Sequence, residues 1–244
     1  MLNQIIGRVY AMYALLVFTF LFLLLFPVFL ILIYIIRNRK MALYLNLVWA
    51  RLFFILIFMP IEVVWEFKPS TSTNYILCSN HFSFLDIASI AYTPFSFVFV
   101  GKSSLSKIPL FGLMYRSLHI TVDREKIRSG YDTFKRSSET LLNGFSLAIF
   151  PEGGITSKDP PNMSRFKDGA FRTAVETNTP IVPVTLPYNW KILPDDKSFR
   201  MMPAKCKVIY HEPIETKDLG MADISALKQE VFSIIQSTLN RHNN

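Results

Sequence analysis

The stretch YILCSNHFSFLDIASIA, Tyr75 to Ala91, decides the fold. It opens with a short, nearly continuous apolar run of the kind found in strands covered on both faces of a sheet. Asn80 and His81 interrupt that run, and a helical pattern follows from Ser83 to Ala91. Strand, polar turn and helix in succession are the building unit of an α/β fold. Histidine is the side chain whose ordinary pKa lies near neutrality, which makes His81 a candidate general base and Asp86 the carboxylate that would orient it. Residues five apart on a regular helix lie about 140° round its axis, too far to meet, so His81 should precede the helix. Ser83 and Asp86 have the spacing of a capping box, which places Ser83 at the N-cap, Asp86 in the first turn and His81 just ahead of both. In the competing reading Asp86 only caps helical N–H groups and His81 is a hydrogen-bonded turn residue.

The same rhythm continues downstream. Further strand candidates are Ser96 to Val100, Ile120 to Val122, Ser146 to Phe150, Ile181 to Leu186 and Lys207 to Tyr210. Helical patterns occupy Ser129 to Leu142, Asp168 to Thr177 and Ile224 to Asn240. In the last of these, Ile224, Leu227, Val231, Ile234, Ile235 and Leu239 share one face. The expected fold class is therefore α/β, a mixed and largely parallel sheet flanked by helices. No internal repeat or low-complexity tract is present.

Ahead of this unit the composition changes. No charged residue occurs between Val9 and Ile36, a stretch able to cover about 42 Å as a helix against a hydrocarbon core of about 30 Å. It is too long for a signal peptide and no small-residue cleavage site follows, so it is read as a retained membrane-embedded segment. Arg37, Arg39 and Lys40 come directly after it and place its end at the cytoplasmic face. The expected location is the inner, cytoplasmic membrane with the body of the protein in the cytosol. The next apolar run, Met41 to Met59, contains Arg51 near its middle, which at a bilayer centre would cost about 2.5–3.5 kcal/mol. That run is expected to lie along or dip into one leaflet. Pro27 leaves two arrangements open for the first run, a full span and a shallow re-entrant pair. The division expected is residues 1–67 as membrane-embedded helices and 68–244 as an α/β domain, joined by a Pro, Ser and Thr-rich linker from Lys68 to Thr73.

The net charge of +8 suits an anionic membrane surface better than nucleic acid, because no nucleic-acid module accompanies the apolar anchor. Cys78 and Cys206 form neither zinc spacing nor a disulfide framework and read as core residues in a reducing compartment. His119, His211 and His242 lack metal-ligand spacing and are expected in structural or solvent roles. No metal and no resident cofactor is expected.

Polar signatures gather in the loops that follow the strands, where α/β proteins place their sites. GKSSLSKIPLFG, Gly101 to Gly112, offers Lys102. The third strand runs into Asp123 and Arg124. FPEGGIT, Phe150 to Thr156, offers the acceptor Glu152 and two glycines, Gly153 and Gly154, that permit close backbone approach to a ligand. Lys158, Arg165 and Lys167 lie in the loop beyond. One base, several cations and a glycine turn together suit acyl or phosphoryl transfer with an anionic substrate.

In these blocks the chain resembles the glycerolipid acyltransferases. NHFSFLD looks like the first family block, GKSSLSKIPLFG through TVDR like the second, FPEGGIT like the third and IVPV, Ile181 to Val184, like the fourth. The resemblance implies that His81 takes the proton from a lysophospholipid hydroxyl as it attacks an acyl thioester, with Asp86 orienting the imidazole. It also implies a lysophosphatidic acid acceptor, an acyl carrier protein or coenzyme A thioester as donor, and acceptor contacts through Lys102 and Arg124. Asn80, Glu152, Gly153, Gly154, Arg165 and Lys167 complete the expected substrate-binding set. Backbone N–H groups near Gly153 are expected to contribute to an oxyanion site. Ser83 reads as a cap and not as a nucleophile. One departure stands out: Ile155 and Thr156 occupy the places of threonine and arginine in many members' third block. Either Arg165, Lys158 or Lys167 supplies the missing charge, with Arg165 favoured, or the acceptor carries another head, such as a lyso-amino-acid lipid. A reading of a different class is a non-catalytic membrane scaffold on the same fold.

Overall fold

The computed structural model describes residues 2–123 and 127–243. A single sheet of seven strands organises the chain: β1 (Ile61–Trp65), β2 (Ile76–Ser79), β3 (Phe97–Lys102), β4 (Ile120–Val122), β5 (Ser146–Ile149), β6 (Ile181–Thr185) and β7 (Cys206–Tyr210). Their order across the sheet is β1-β7-β6-β2-β5-β3-β4, parallel at every pairing except β6 with β7. The mixed, largely parallel sheet expected from the sequence is present. β2 and β6, buried at every position, lie inside it, as continuous apolar runs require.

Eight α-helices are described: α1 (Leu2–Leu30), α2 (Arg39–Leu56), α3 (Leu85–Ser89), α4 (Phe111–Leu118), α5 (Ile127–Leu142), α6 (Gly169–Thr177), α7 (Asn189–Ile192) and α8 (Ile224–Asn243). α6 stops where Asn178 turns into the left-handed region at φ 50°, a conformation that asparagine tolerates at a helix end. α8 buries Leu227, Val231, Ile235 and Leu239, four members of the face read from its periodicity.

Three elements depart from expectation. β1 lies ahead of Lys68, inside the stretch read as membrane-embedded, and pairs in parallel with β7 along its whole length. Its sequence, IEVVW, adjoins the apolar run before it, so no composition step marks the strand. α4 and α7 were also not anticipated. α4 follows Pro109 in a stretch whose lysines and glycines read as loop, and α7 is a single turn, too short to show a period.

The N-terminal helices are part of the same core. Phe29, Leu43, Trp49 and Phe54 are buried together with Cys78, Val98 and Phe171 of the α/β unit. Arg51 is half-buried, and its guanidinium donates to Thr93 O at 3.1 Å. α1 is tied to the body near both ends. Met201 N donates to Gly7 O at 3.0 Å, and Tyr34, in the π-helical turn Ile31–Ile35 that closes α1, meets Ser117 Oγ at 3.0 Å. The opposite side of α1 remains open, with Leu2, Val9, Leu16, Phe20 and Leu24 each more than half exposed. The segment Leu2–Ile35 is long and apolar enough to cross a membrane.

Candidate active site

β2 delivers His81 to the carboxyl end of the sheet. Beyond Ser79 the chain turns through Asn80 and His81 into α3, and Asp86 falls in the first turn of that helix. Asp86 Oδ2 accepts from His81 Nδ1 at 3.0 Å and from the backbone N–H groups of Phe82 and Ser83 at 2.8 Å each. Orientation and capping are therefore not alternatives, since one carboxylate oxygen performs both. Ser83 Oγ accepts from Leu85 N at 3.1 Å and donates its proton to Leu193 O at 2.6 Å. Both hydrogen bonds occupy that hydroxyl, but the helix starts later than the sequence reading has it: Phe84, not Ser83, is the N-cap, so the expected Ser83 N-cap is corrected by one residue.

His81 is 8% exposed, and its ring stacks on Phe150 with centroids 3.9 Å apart and planes 15° from parallel. With Nδ1 bound to Asp86 through its proton, Nε2 is the nitrogen free to accept. It makes no hydrogen bond among the described residues. Asp86 Oδ1 accepts from Asn189 Nδ2 at 2.9 Å, and the same amide donates to Ser89 Oγ at 3.0 Å. Asp86 is thus fixed from both sides and fully buried.

β5, the neighbour of β2, delivers the third block to the same place. Glu152 is 3% exposed and spans two segments: Oε1 accepts from His81 N at 2.8 Å and Oε2 from Ser164 N at 2.8 Å. Burial pushes its carboxyl up to about 7, against the pull of those two amide donors. Gly153 has φ +85° and Gly154 φ +151°. A Cβ at Gly153 would lie 2.8 Å from both Cε and Nζ of Lys167, so the glycine lets that ammonium close over the turn. Gly153 N–H donates to Phe150 O at 2.9 Å and is taken up by the turn; Gly154 N–H makes no hydrogen bond among the described residues.

The remaining expected site residues fall as follows. Asn80 is fully buried, its amide donating to Leu186 O at 3.1 Å and accepting from Leu186 N at 2.8 Å, so it clamps β2 to the fourth block. Lys102 ends β3, exposed, on the strand beyond β5. Arg165 is exposed in the loop that Ser164 N and Lys167 N tie to the third block through Glu152 and Pro151 O. Arg124 lies outside the described residues. Three of the four blocks thus end on the adjacent strands β2, β5 and β3, with the fourth forming β6 itself. Asn189 and the stacking role of Phe150 were not read from the sequence. Phe150 sits beside the recognisable PEGG turn, whereas Asn189 is brought to Asp86 only by the fold.

The other histidines have structural partners. His119 accepts from Phe99 N at Nδ1, and burial lowers its pKa to about 3, so it is neutral. His211 lies between Glu66 and Thr185, and His242 meets Tyr188.

Similarity to known proteins agrees with this geometry. A chloroplastic 1-acyl-sn-glycerol-3-phosphate acyltransferase of Arabidopsis thaliana is 37% identical over 150 residues, covering 61% of this chain and 42% of that protein. A 1-acyl-sn-glycerol-3-phosphate acyltransferase of Saccharomyces cerevisiae is 30% identical over 74% of this chain and 60% of its own length. The chain spans about half the length of the curated relatives it matches. Its fold is that of the crystal structure of a 1-acyl-sn-glycerophosphate acyltransferase from Thermotoga maritima, with TM-score 0.76 and 24% identity over 98% of this chain and 97% of the other. The acyltransferase family model matches residues 61–187, from the first residue of β1 to just past β6, and the chain belongs to the acyltransferase family.

Proposed function

We propose that the protein transfers a fatty acyl group from an acyl thioester to the sn-2 hydroxyl of lysophosphatidic acid, giving phosphatidic acid. The observation that carries this reading is the His81–Asp86 pair, with Nδ1 anchored 3.0 Å from Oδ2 and Nε2 left without a partner among the described residues. In the proposed reaction Nε2 takes the hydroxyl proton while the hydroxyl oxygen attacks the thioester carbonyl carbon. Collapse of the tetrahedral intermediate breaks the C–S bond, and the departing sulfur takes the proton back from His81. Asp86 stabilises the transient imidazolium. The Gly154 N–H is our candidate donor to the developing oxyanion. No acyl-enzyme forms, in keeping with the commitment of the Ser83 hydroxyl to Leu85 N and Leu193 O.

Lys102, Lys167 and Arg165 would hold the anionic head of the acceptor. Arg165 takes the part of the arginine that Thr156 replaces, because its loop is hydrogen-bonded to Glu152 and Pro151. The altered third block also favours a second reading, the same transfer to a lyso-amino-acid lipid. A protein anchored by α1 and α2 in one leaflet of the cytoplasmic membrane, facing the cytosol, fits both readings. The ties near Gly7 and Tyr34 bind α1 to the body at either end, which favours the re-entrant arrangement over a full span.

The test is acyl transfer from labelled acyl-acyl carrier protein and acyl-coenzyme A to lysophosphatidic acid, with wild type and His81→Ala side by side in detergent. Turnover by wild type and its loss in a folded variant are expected. No phosphatidic acid with either donor would sink the acceptor assignment. Undiminished turnover in the variant would remove His81 as the base, whereas no transfer to any lysolipid acceptor would support the non-catalytic scaffold.

A further inference from the structure

At the opposite end of the sheet from His81 lies a cavity of about 270 Å³, bounded by Arg39, Ser117, Arg136, Glu139, Thr140 and Asn143. It adjoins the start of β4 and the turn before β5, whereas His81 and Glu152 follow the ends of β2 and β5. Two guanidinium groups converge there. Arg39 Nη2 donates to Leu118 O at 3.0 Å and Arg136 Nη2 to His119 O at 3.4 Å, so consecutive carbonyls hold the two cations side by side. Neither forms an ion pair among the described residues. Arg39 is further held over the Phe145 ring, 5.1 Å from its centroid, and its Nε has no hydrogen-bond partner. Burial lowers the Arg39 pKa, and repulsion from Arg136 adds to that. An anion between the two groups would relieve both effects.

The surroundings are amphipathic. Ser117 on the cavity wall bonds Tyr34 of the apolar N-terminal segment. Ile35, Ile36 and Met41, next to Arg39 in the chain, are 75%, 55% and 52% exposed. Arg37 and Lys40 in the same turn are exposed as well. A phosphate with hydrocarbon attached would set its charge between the arginines and its chains on the isoleucines. A free phosphate would use the first feature and leave the second unexplained.

We propose that this cavity is a second, non-catalytic site for the phosphate head of an anionic membrane lipid, with Arg39 and Arg136 as the paired donors. Glu139 on its wall opposes the anion and sets an upper limit on affinity.

The experiment titrates full-length protein in neutral detergent with dihexanoyl phosphatidylglycerol, which is neither proposed substrate nor product, and separately with inorganic phosphate, following binding by calorimetry. Phosphatidylglycerol binding is expected to weaken about tenfold in Arg136→Gln and to tighten in Glu139→Gln. Lys217→Gln, an exposed lysine in the segment after β7, which lies across the sheet from β4, controls for net charge and should bind as wild type does. Arg136→Gln should retain wild-type acyl transfer in detergent and its unfolding temperature, because Arg136 is exposed and touches no residue of the catalytic pair. Equal loss in Lys217→Gln and Arg136→Gln would overturn the site in favour of diffuse charge attraction. Inorganic phosphate binding as tightly as the lipid would overturn the lipid assignment.

Discussion

At the scale of single residues, the proposed catalytic pair, His81 and Asp86, and Glu152 carry the sharpest consequences. Replacing a general base costs about 10²–10⁴-fold in rate, and His81→Ala should lose that much acyl transfer while keeping its unfolding temperature within a few degrees. Glu152 tests another part of the arrangement. Its carboxyl is raised from 4.5 to about 7, so the folded protein retains a proton that the unfolded chain releases. The stability this contributes is complete below about pH 4.5 and fades as pH rises through 7. Glu152→Gln should remove that slope from a plot of unfolding temperature against pH. It should also cost about 1–3 kcal/mol, because an amide cannot accept from both His81 N and Ser164 N. A slope unchanged in the variant would assign the pH dependence to other groups. Arg165→Ala should raise the KM for lysophosphatidic acid with little change in kcat, and an unchanged KM would remove Arg165 from the acceptor site.

At the scale of elements, two glycines separate steric need from mere tolerance. A Cβ at Gly112, in α4, would clash with Ser106 O, a backbone atom that cannot move aside without disrupting the preceding turn. Gly112→Ala should therefore destabilise the protein and displace the segment that carries Lys102. Gly130, in α5, has nothing within 4 Å of a built Cβ. Gly130→Ala should raise stability by roughly 0.8–1 kcal/mol, the helix propensity difference. Chemical denaturation of both variants would measure the contrast, and destabilisation by Gly130→Ala would show that the helical surface there is not open. Elements with a clear period or a continuous apolar run were legible in advance, among them α8 and the strands β2, β5 and β6. β1, α4 and α7 were not. A strand of five residues abutting an apolar helix offers no change of composition, and a one-turn helix has no period to read.

At the scale of the whole molecule, the N-terminal helices supply part of the core while keeping an open apolar face. Phe29, Leu43 and Phe54, at most 1% exposed, pack with the α/β unit while the far side of α1 is open. Deleting residues 2–35 should therefore yield an aggregating species and not a soluble domain, as gel filtration without detergent would show. A monodisperse truncated protein would mean that this packing is dispensable. The sequence by itself determined what local chemistry writes: the α/β rhythm, the long apolar N-terminal segment, and the short-range His81–Asp86 geometry that follows from five residues and a helix start. Four blocks in order also marked the family. Only the tertiary structure decided which distant groups share a site. Glu152 reaches His81 across 71 positions and Asn189 reaches Asp86 across 103, and such contacts depend on strand order, which no local pattern encodes. The pairing of Arg39 with Arg136 has the same origin, since it arises where the apolar segment meets the far end of the sheet.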